Sequence, residues 1–212
     1  MSVATPDPLA LSTPMVLPRR RIAWVRAIAA LAWAVGLVAA LGGDPAATAT
    51  VPTTAAILLA AYPLIDVLAS AVEARESRAA ARVLPIVNGL ISLTASVALA
   101  VAATSADAGT TLAVFGVWAF VSGALQLGTA ALRRRAGSRE VPMIVSGAIS
   151  AVAGLSFVAG SSQDVAHLTN LAAYAGLGAV LYLVWAVRDT AGGQLGRPTS
   201  RRGRSHADHS TA

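Results

Sequence analysis

Six apolar stretches, Ile22 to Leu41, Val51 to Ala71, Val83 to Ala103, Thr110 to Leu132, Val141 to Gly160 and Leu168 to Val187, run through the chain. The connections between them are alternately rich in arginine and free of it. A helix rising 1.5 Å per residue needs about 20 residues to cross a hydrocarbon core about 30 Å thick, which is the length of each stretch. The expectation is an all-α polytopic membrane protein with six transmembrane helices. A strand barrel is excluded, because its segments are shorter and alternate in polarity. With 56% hydrophobic and 12% charged residues, the chain is also too apolar for an ordinary soluble domain.

All 16 basic residues are arginines. Arg19, Arg20, Arg21 and Arg26 precede or open the first stretch, and Arg75, Arg78 and Arg82 lie between the second and third. Arg133, Arg134, Arg135 and Arg139 lie between the fourth and fifth, and Arg188, Arg197, Arg201, Arg202 and Arg204 follow the sixth. The remaining connections carry only Asp44, Asp107 and Asp164 as formal charges, with His167 ending the last. Basic residues in short loops resist translocation, so the arginine side reads as cytoplasmic, both termini as inside, and the bacterial inner membrane as the location. Residues 1–21 and 188–212 read as disordered cytoplasmic tails around a transmembrane domain at 22–187. The first apolar run is longer than the 7–15 residues usual in a signal peptide and reads as an uncleaved helix.

Several chemistries drop out at once. There are no cysteines, hence no disulfide or thiolate metal site. No metalloprotease motif, nucleophile elbow or phosphate-cradling glycine loop occurs, and His206 and His209 in an Arg/Ser/Gly tail make a poor metal site. No aromatic residues interleave the arginines as a single-strand nucleic-acid groove requires. The expectation is a protein that is not an enzyme and has no cofactor, no metal and no nucleic-acid or soluble partner. Its partner is the lipid bilayer.

Short connections place consecutive stretches side by side as antiparallel hairpins. Gly42-Gly43-Asp44-Pro45 stops the first helix, and Thr50 with Pro52 starts the second. The chain also resembles itself. Asn88-Gly89-Leu90-Ile91-Ser92 aligns with Ser146-Gly147-Ala148-Ile149-Ser150, while Tyr62, Trp118 and Tyr174 recur every 56 residues. One hairpin is one repeat, so the three hairpins form a parallel repeat, unlike transporters built from inverted, odd-numbered repeats. Small residues four apart (Ala32 and Gly36, Ala119 and Gly123, Ser150 and Gly154, Ala172 and Gly176) offer close helix contacts, within the chain or in a homo-oligomer. Trp24, Tyr182 and Trp185 read as interfacial anchors.

The candidate site is a layer of polar residues inside the stretches: Arg26, Asp66, Asn88 and Gln126, each five to seven positions from a cytoplasmic boundary and so about 7–11 Å deep. Asp66 constrains most. A mid-helix carboxylate costs up to about 3.5 kcal/mol, while the eight Leu, Ile and Val of its span return roughly 2.4 to 4.8 kcal/mol. Asp66 is therefore expected to face the bundle interior with a partner, Arg26 being nearest in depth, and Pro63 to kink its helix and free a carbonyl. Either the carboxylate glues the first two helices together, or it takes up protons or ions.

The run Phe115-Gly116-Val117-Trp118-Ala119-Phe120-Val121-Ser122-Gly123-Ala124-Leu125-Gln126-Leu127, followed by Arg133-Arg134-Arg135, Pro142 and Ser146-Gly147-Ala148-Ile149-Ser150, resembles the HdeD-like membrane proteins, built from short two-helix repeats of unknown function. The resemblance covers about Val83 to Val187. The first hairpin, with Tyr62-Pro63-Leu64-Ile65-Asp66 in place of the Gly-Ala-Leu-Gln pattern, follows it less closely. It implies a six-helix inner-membrane protein, one class of which is linked to acid resistance, and supplies no catalytic or binding residues. The resulting expectation is a membrane protein that supports the envelope under acid or other stress. The alternative is a small proton-coupled transporter or permeation unit using Asp66.

Overall fold

The computed structural model describes residues 19–42, 50–77, 79–135 and 141–195. Among them are six α-helices and no strand: α1 (Arg19–Ala40), α2 (Thr53–Glu76), α3 (Val83–Ser105), α4 (Ala108–Arg135), α5 (Val141–Gly160) and α6 (Thr169–Leu195), with a short 3-10 turn, Ala79–Arg82, before α3. Their lengths run from 20 to 28 residues. By length and composition, three stretches within them can cross a membrane: Thr53–Arg75, Val83–Ser105 and Ala108–Ala131. The corresponding apolar stretches of α1, α5 and α6 are shorter, Ala27–Ala40, Ile144–Gly160 and Thr169–Leu181. The helix limits lie within about three residues of the expected ones, except that α2 continues past Ala71 to Glu76 and α6 past Val187 to Leu195. Most of the two expected tails lies outside the described residues.

Local chemistry sets the turns. Gly42 adopts φ +72, a left-handed conformation that costs glycine little, and its N–H bonds the Ala39 carbonyl as α1 ends. Pro52 immediately precedes α2 and accepts the N–H of Ala56, so the proline stands just before the helix and not within its first turn. Asp107 caps α4, its carboxylate accepting the N–H of Thr110 at 2.6 Å. These hydrogen bonds satisfy donors and carbonyls that a helix end leaves without intrahelical partners.

Helix α2 runs without a break through Pro63. Proline has no N–H to give the carbonyl four residues back, and neighbouring helices supply donors to the carbonyls on either side of that one. The Trp33 indole on α1 bonds the Leu58 carbonyl at 2.6 Å, and the Ser96 hydroxyl on α3 bonds that of Ala60 at 2.6 Å. The proline thus sits where α1, α2 and α3 are tied together.

The most extensive contacts lie between the repeat hairpins: α4 against α5, α2 against α3 and α1 against α6, with sparser contacts inside each hairpin. The first helix thereby closes on the last. The small residues decide where backbones meet. A Cβ on Gly123 would lie 2.6 Å from the Ala151 nitrogen and 2.8 Å from the Gly147 oxygen; on Gly116 it would lie 2.8 Å from the Gly154 oxygen. Along α4 these close approaches fall at Gly109, Gly116 and Gly123, seven apart. Seven-residue spacing keeps one seam of a helix against its partner through several turns. Of the expected four-residue pairs, only Ala119–Gly123 and Ser150–Gly154 contain a glycine in this seam; Gly176 has open space and Gly36 an ordinary contact with Leu58.

The core is packed most fully toward the arginine-free ends of the helices, where Leu37, Leu59, Leu99, Leu112, Leu168 and Leu171 are buried. Outward faces carry exposed aliphatic side chains, among them Val25, Val35, Ile57, Leu68, Val97 and Val152. Contiguous apolar exposure on this scale marks a surface meant for something other than water.

Candidate functional site

At the centre of the bundle is an aromatic cluster with Phe115 as its hub. Its ring centroid lies 6.3 Å from Trp33 of α1, 5.8 Å from Tyr62 of α2, 5.2 Å from Trp118 of α4, 6.1 Å from Phe157 of α5 and 6.2 Å from Tyr174 of α6. The Trp118, Phe157 and Tyr174 rings meet it edge-on, the arrangement that the aromatic quadrupole favours over a face-to-face sandwich. Helix α3 joins through a hydrogen bond: Ser92, fully buried, accepts the Trp118 indole N–H at 3.1 Å. One hairpin later, Ser150 and the Tyr174 hydroxyl lie 2.8 Å apart. The 56-residue recurrence of Tyr62, Trp118 and Tyr174 therefore places all three in one cluster.

One turn past these rings, toward the arginine-bearing ends of α2, α4 and α6, lies a cavity of about 100 Å³. Tyr62, Trp118 and Tyr174 form part of its wall, together with Asp66, Ser122, Gln126, Ser146 and Ser150. At about 10–15 Å³ per water it has room for a handful of waters, and it is too small for a sugar or nucleotide. Its opposite boundary is the aromatic cluster and, beyond that, the buried leucines.

Asp66, Ser122 and Gly178 occupy the same position in successive repeats, each one turn after the recurring aromatic residue, and all three line the cavity. The 56-residue offset that aligns Tyr62, Trp118 and Tyr174 also aligns this set, so the sequence carries its signal in the column one turn after the rings. Ser122 adds a further feature. Its hydroxyl oxygen is buried and has no hydrogen-bond partner, which is costly for a polar atom away from water.

The four residues expected to form a polar layer are distributed as follows. Asp66 and Gln126 line the same cavity. Asn88 lies at the α2–α3 contact, its amide donating to Ser70 Oγ at 2.9 Å, beside the close approach of Gly89 to Ser70. Arg26 is four residues before Ala30, which lines the cavity, on α1; its side chain lies outside the described residues. Trp24 is exposed, in keeping with an anchor, whereas the side chains of Tyr182 and Trp185 lie outside the described set.

A second, more open cavity of about 250 Å³ lies at the arginine-free end, between Leu112 of α4, Phe157 and Gly160 of α5, and Gln163, His167 and Asn170. Among the described residues no group of three or more His, Cys, Asp or Glu could hold a metal ion.

Residues 97–159, from mid-α3 through α4 to near the end of α5, match a family described as a short repeat of unknown function (DUF308). The match contains the Phe115 hub, Trp118, Gln126 and the glycine seam, and spans less than half of the chain. No curated protein and no solved structure matches the chain. An all-α arrangement with long apolar helices, together with this repeat, is that of an integral membrane protein whose activity the repeat does not define.

Proposed function

We propose that the chain is a six-span protein of the bacterial inner membrane, with both termini cytoplasmic, that performs no catalysis and supports the envelope under stress, acid foremost. Six helices, three of them long and apolar enough to cross a membrane, aliphatic outer faces, and arginines kept to the chain ends and alternate connections support the topology. The resemblance to HdeD-like proteins supports the stress role. The observation that carries the reading to a site is the cavity holding Asp66 at the bundle axis. An ionisable group inside a membrane domain is expensive to keep there, which gives it a default association with function.

Survival of a deletion strain at low pH tests this directly. Wild-type protein restores survival, whereas Asp66→Asn, expressed to the same level, restores little of it. Equal survival of the deletion and parent strains would remove the stress role, and full rescue by Asp66→Asn would remove Asp66 from it.

A second reading, a small proton-coupled permeation unit, draws on the unpaired Ser122 hydroxyl in the same cavity. Proteoliposomes loaded with a pH dye separate the two. A proton flux abolished by Asp66→Asn favours permeation, and its absence favours the first reading.

A further inference from the structure

Building on the reading of this chain as a membrane protein, we infer that the cleft between α5 and α6 at the arginine-free end holds a zwitterionic phospholipid, its glycerol esters against the amides of Gln163 and Asn170 and its chains along the aliphatic outer face of α5.

The cleft follows from how the last hairpin packs. Helices α5 and α6 are consecutive, yet each packs mainly on another neighbour, α5 on α4 and α6 on α1. Near their arginine-free ends this leaves the cavity of about 250 Å³, lined by the buried Leu112 and Phe157, by Ser156 and Gly160 on the α5 side, and by Gln163, His167 and Asn170 on the other. Ser156 is exposed and shares a helix face with the exposed Val152, Leu155 and Ala159, so the mouth is continuous with the aliphatic surface that α5 turns outward.

Two kinds of chemistry meet there. Ser156 stands four residues before Gly160, the end of α5, and so about 6 Å deeper along the helix. A bilayer about 40–45 Å thick with its headgroups, and about 30 Å without them, leaves about 5–7 Å on each side for headgroups and esters. The cleft therefore spans the depth of that polar boundary. Gln163 and Asn170 are exposed at its loop end, and side-chain amides donate N–H groups. The ester and phosphate oxygens of a phospholipid are acceptors at the same level. The Ser156 hydroxyl already donates to the Ala153 carbonyl at 2.7 Å and His167 is already engaged within the protein, so the two amides are the donors assigned to the lipid.

Volume and charge narrow the class. Sites that enclose a drug-sized soluble ligand run to roughly 300–1,000 Å³, more than this cleft offers, whereas a phospholipid need insert only its glycerol-ester segment and keeps its chains in the bilayer. The connections on this side carry Asp44, Asp107 and Asp164 and no arginine, which disfavours an anionic headgroup and suits one that bears an ammonium.

Native mass spectrometry of the full-length protein, released from non-ionic detergent and titrated with dioleoylphosphatidylethanolamine, tests the inference. Dioleoylphosphatidylglycerol and the chain-free glycerophosphoethanolamine are the comparisons. The expected result is a single saturable phosphatidylethanolamine adduct, weakened several-fold by Gln163→Ala or Asn170→Ala and at least tenfold by both together. Phosphatidylglycerol binding should be unaffected by the pair, and glycerophosphoethanolamine should not bind. Both side chains are exposed, so the melting temperature should not change; should the double variant melt lower, the single variants carry the test.

Absence of a saturable adduct, an adduct indifferent to both substitutions, or an equal loss of phosphatidylglycerol binding in the double variant overturns the inference. So does tight binding of glycerophosphoethanolamine, which would make the cleft a site for a soluble headgroup. A chain that needs detergent to stay in solution but holds no such lipid removes this inference alone, whereas a chain that is monodisperse without detergent removes the membrane reading with it. Phosphatidylethanolamine binding that depends on Gln163 and Asn170 upholds the inference even if low-pH survival proves independent of the protein.

Discussion

The indole of Trp118 and the hydroxyl of Ser92 form a fully interior hydrogen bond, 3.1 Å long, that ties the two helices of the central hairpin together beside the Phe115 hub. Tyr174 and Ser150 repeat the relationship in the next hairpin at 2.8 Å. Allowing for the slightly different spacing of outgoing and returning helices, Ala34 takes the serine's place in the first hairpin. There the contact to Tyr62 is instead a ring contact with Trp33, at 4.2 Å.

Ser92→Ala should leave the Trp118 N–H buried without an acceptor and lower stability by about 1–3 kcal/mol, read as a fall in the melting temperature of the protein in detergent. Ser92→Ala combined with Trp118→Phe should recover part of that loss, because the stranded donor is gone. A double variant no better than the sum of its single changes would show that the two residues do not interact.

The glycine seam gives a sharper contrast. Gly123→Ala places a methyl 2.6 Å from the Ala151 nitrogen, so α4 and α5 must separate; a loss of about 1–3 kcal/mol, typical of overpacking, is expected in thermal unfolding. Gly128→Ala on the same helix meets nothing within 4 Å and should be neutral or stabilising by up to about 1 kcal/mol through helix propensity. Equal effects at the two positions would contradict the seam.

Why was one glycine pattern readable and the other not? Small residues four apart are abundant in an alanine-rich chain, so Ala32–Gly36 and Ala172–Gly176 looked the same as the pairs containing Gly123 and Gly154. What distinguishes the true seam is the seven-residue recurrence of Gly109, Gly116 and Gly123, which follows from two helices staying in register over several turns. The helices themselves were legible because about twenty apolar residues in a row leave few other structures. Which helices embrace was not legible: loop length brings helix ends together, but shape along the shafts decides the extensive contacts, and it favours α4 with α5 and α1 with α6. At the candidate site, Asp66 and Gln126 line one cavity. Asn88, at a similar depth, is turned to Ser70, because depth fixes height along a helix and not the face.

Asp107 links the turn before α4 to pH. The Thr110 backbone N–H, first, and the Thr110 hydroxyl beside it hold this carboxyl below its ordinary pKa of 3.8. A carboxylate depressed in the folded protein contributes stability above the unfolded value, and that contribution is lost as pH falls through the folded one. Asp107→Ala should therefore be less stable than wild type at neutral pH, with the gap narrowing only below about pH 4. Melting curves of both proteins across that range check this; a gap that widens on acidification would refute the cap.

The central claim is that six helices cross the bilayer with every arginine-bearing connection on the cytoplasmic side. The natural chain contains no cysteine, so single introduced cysteines report without background. With a membrane-impermeant maleimide, Ser162→Cys should be labelled in intact cells, and Ser138→Cys only after the membrane is opened. Labelling of Ser138→Cys from outside, or of both positions equally in intact cells, would contradict the account.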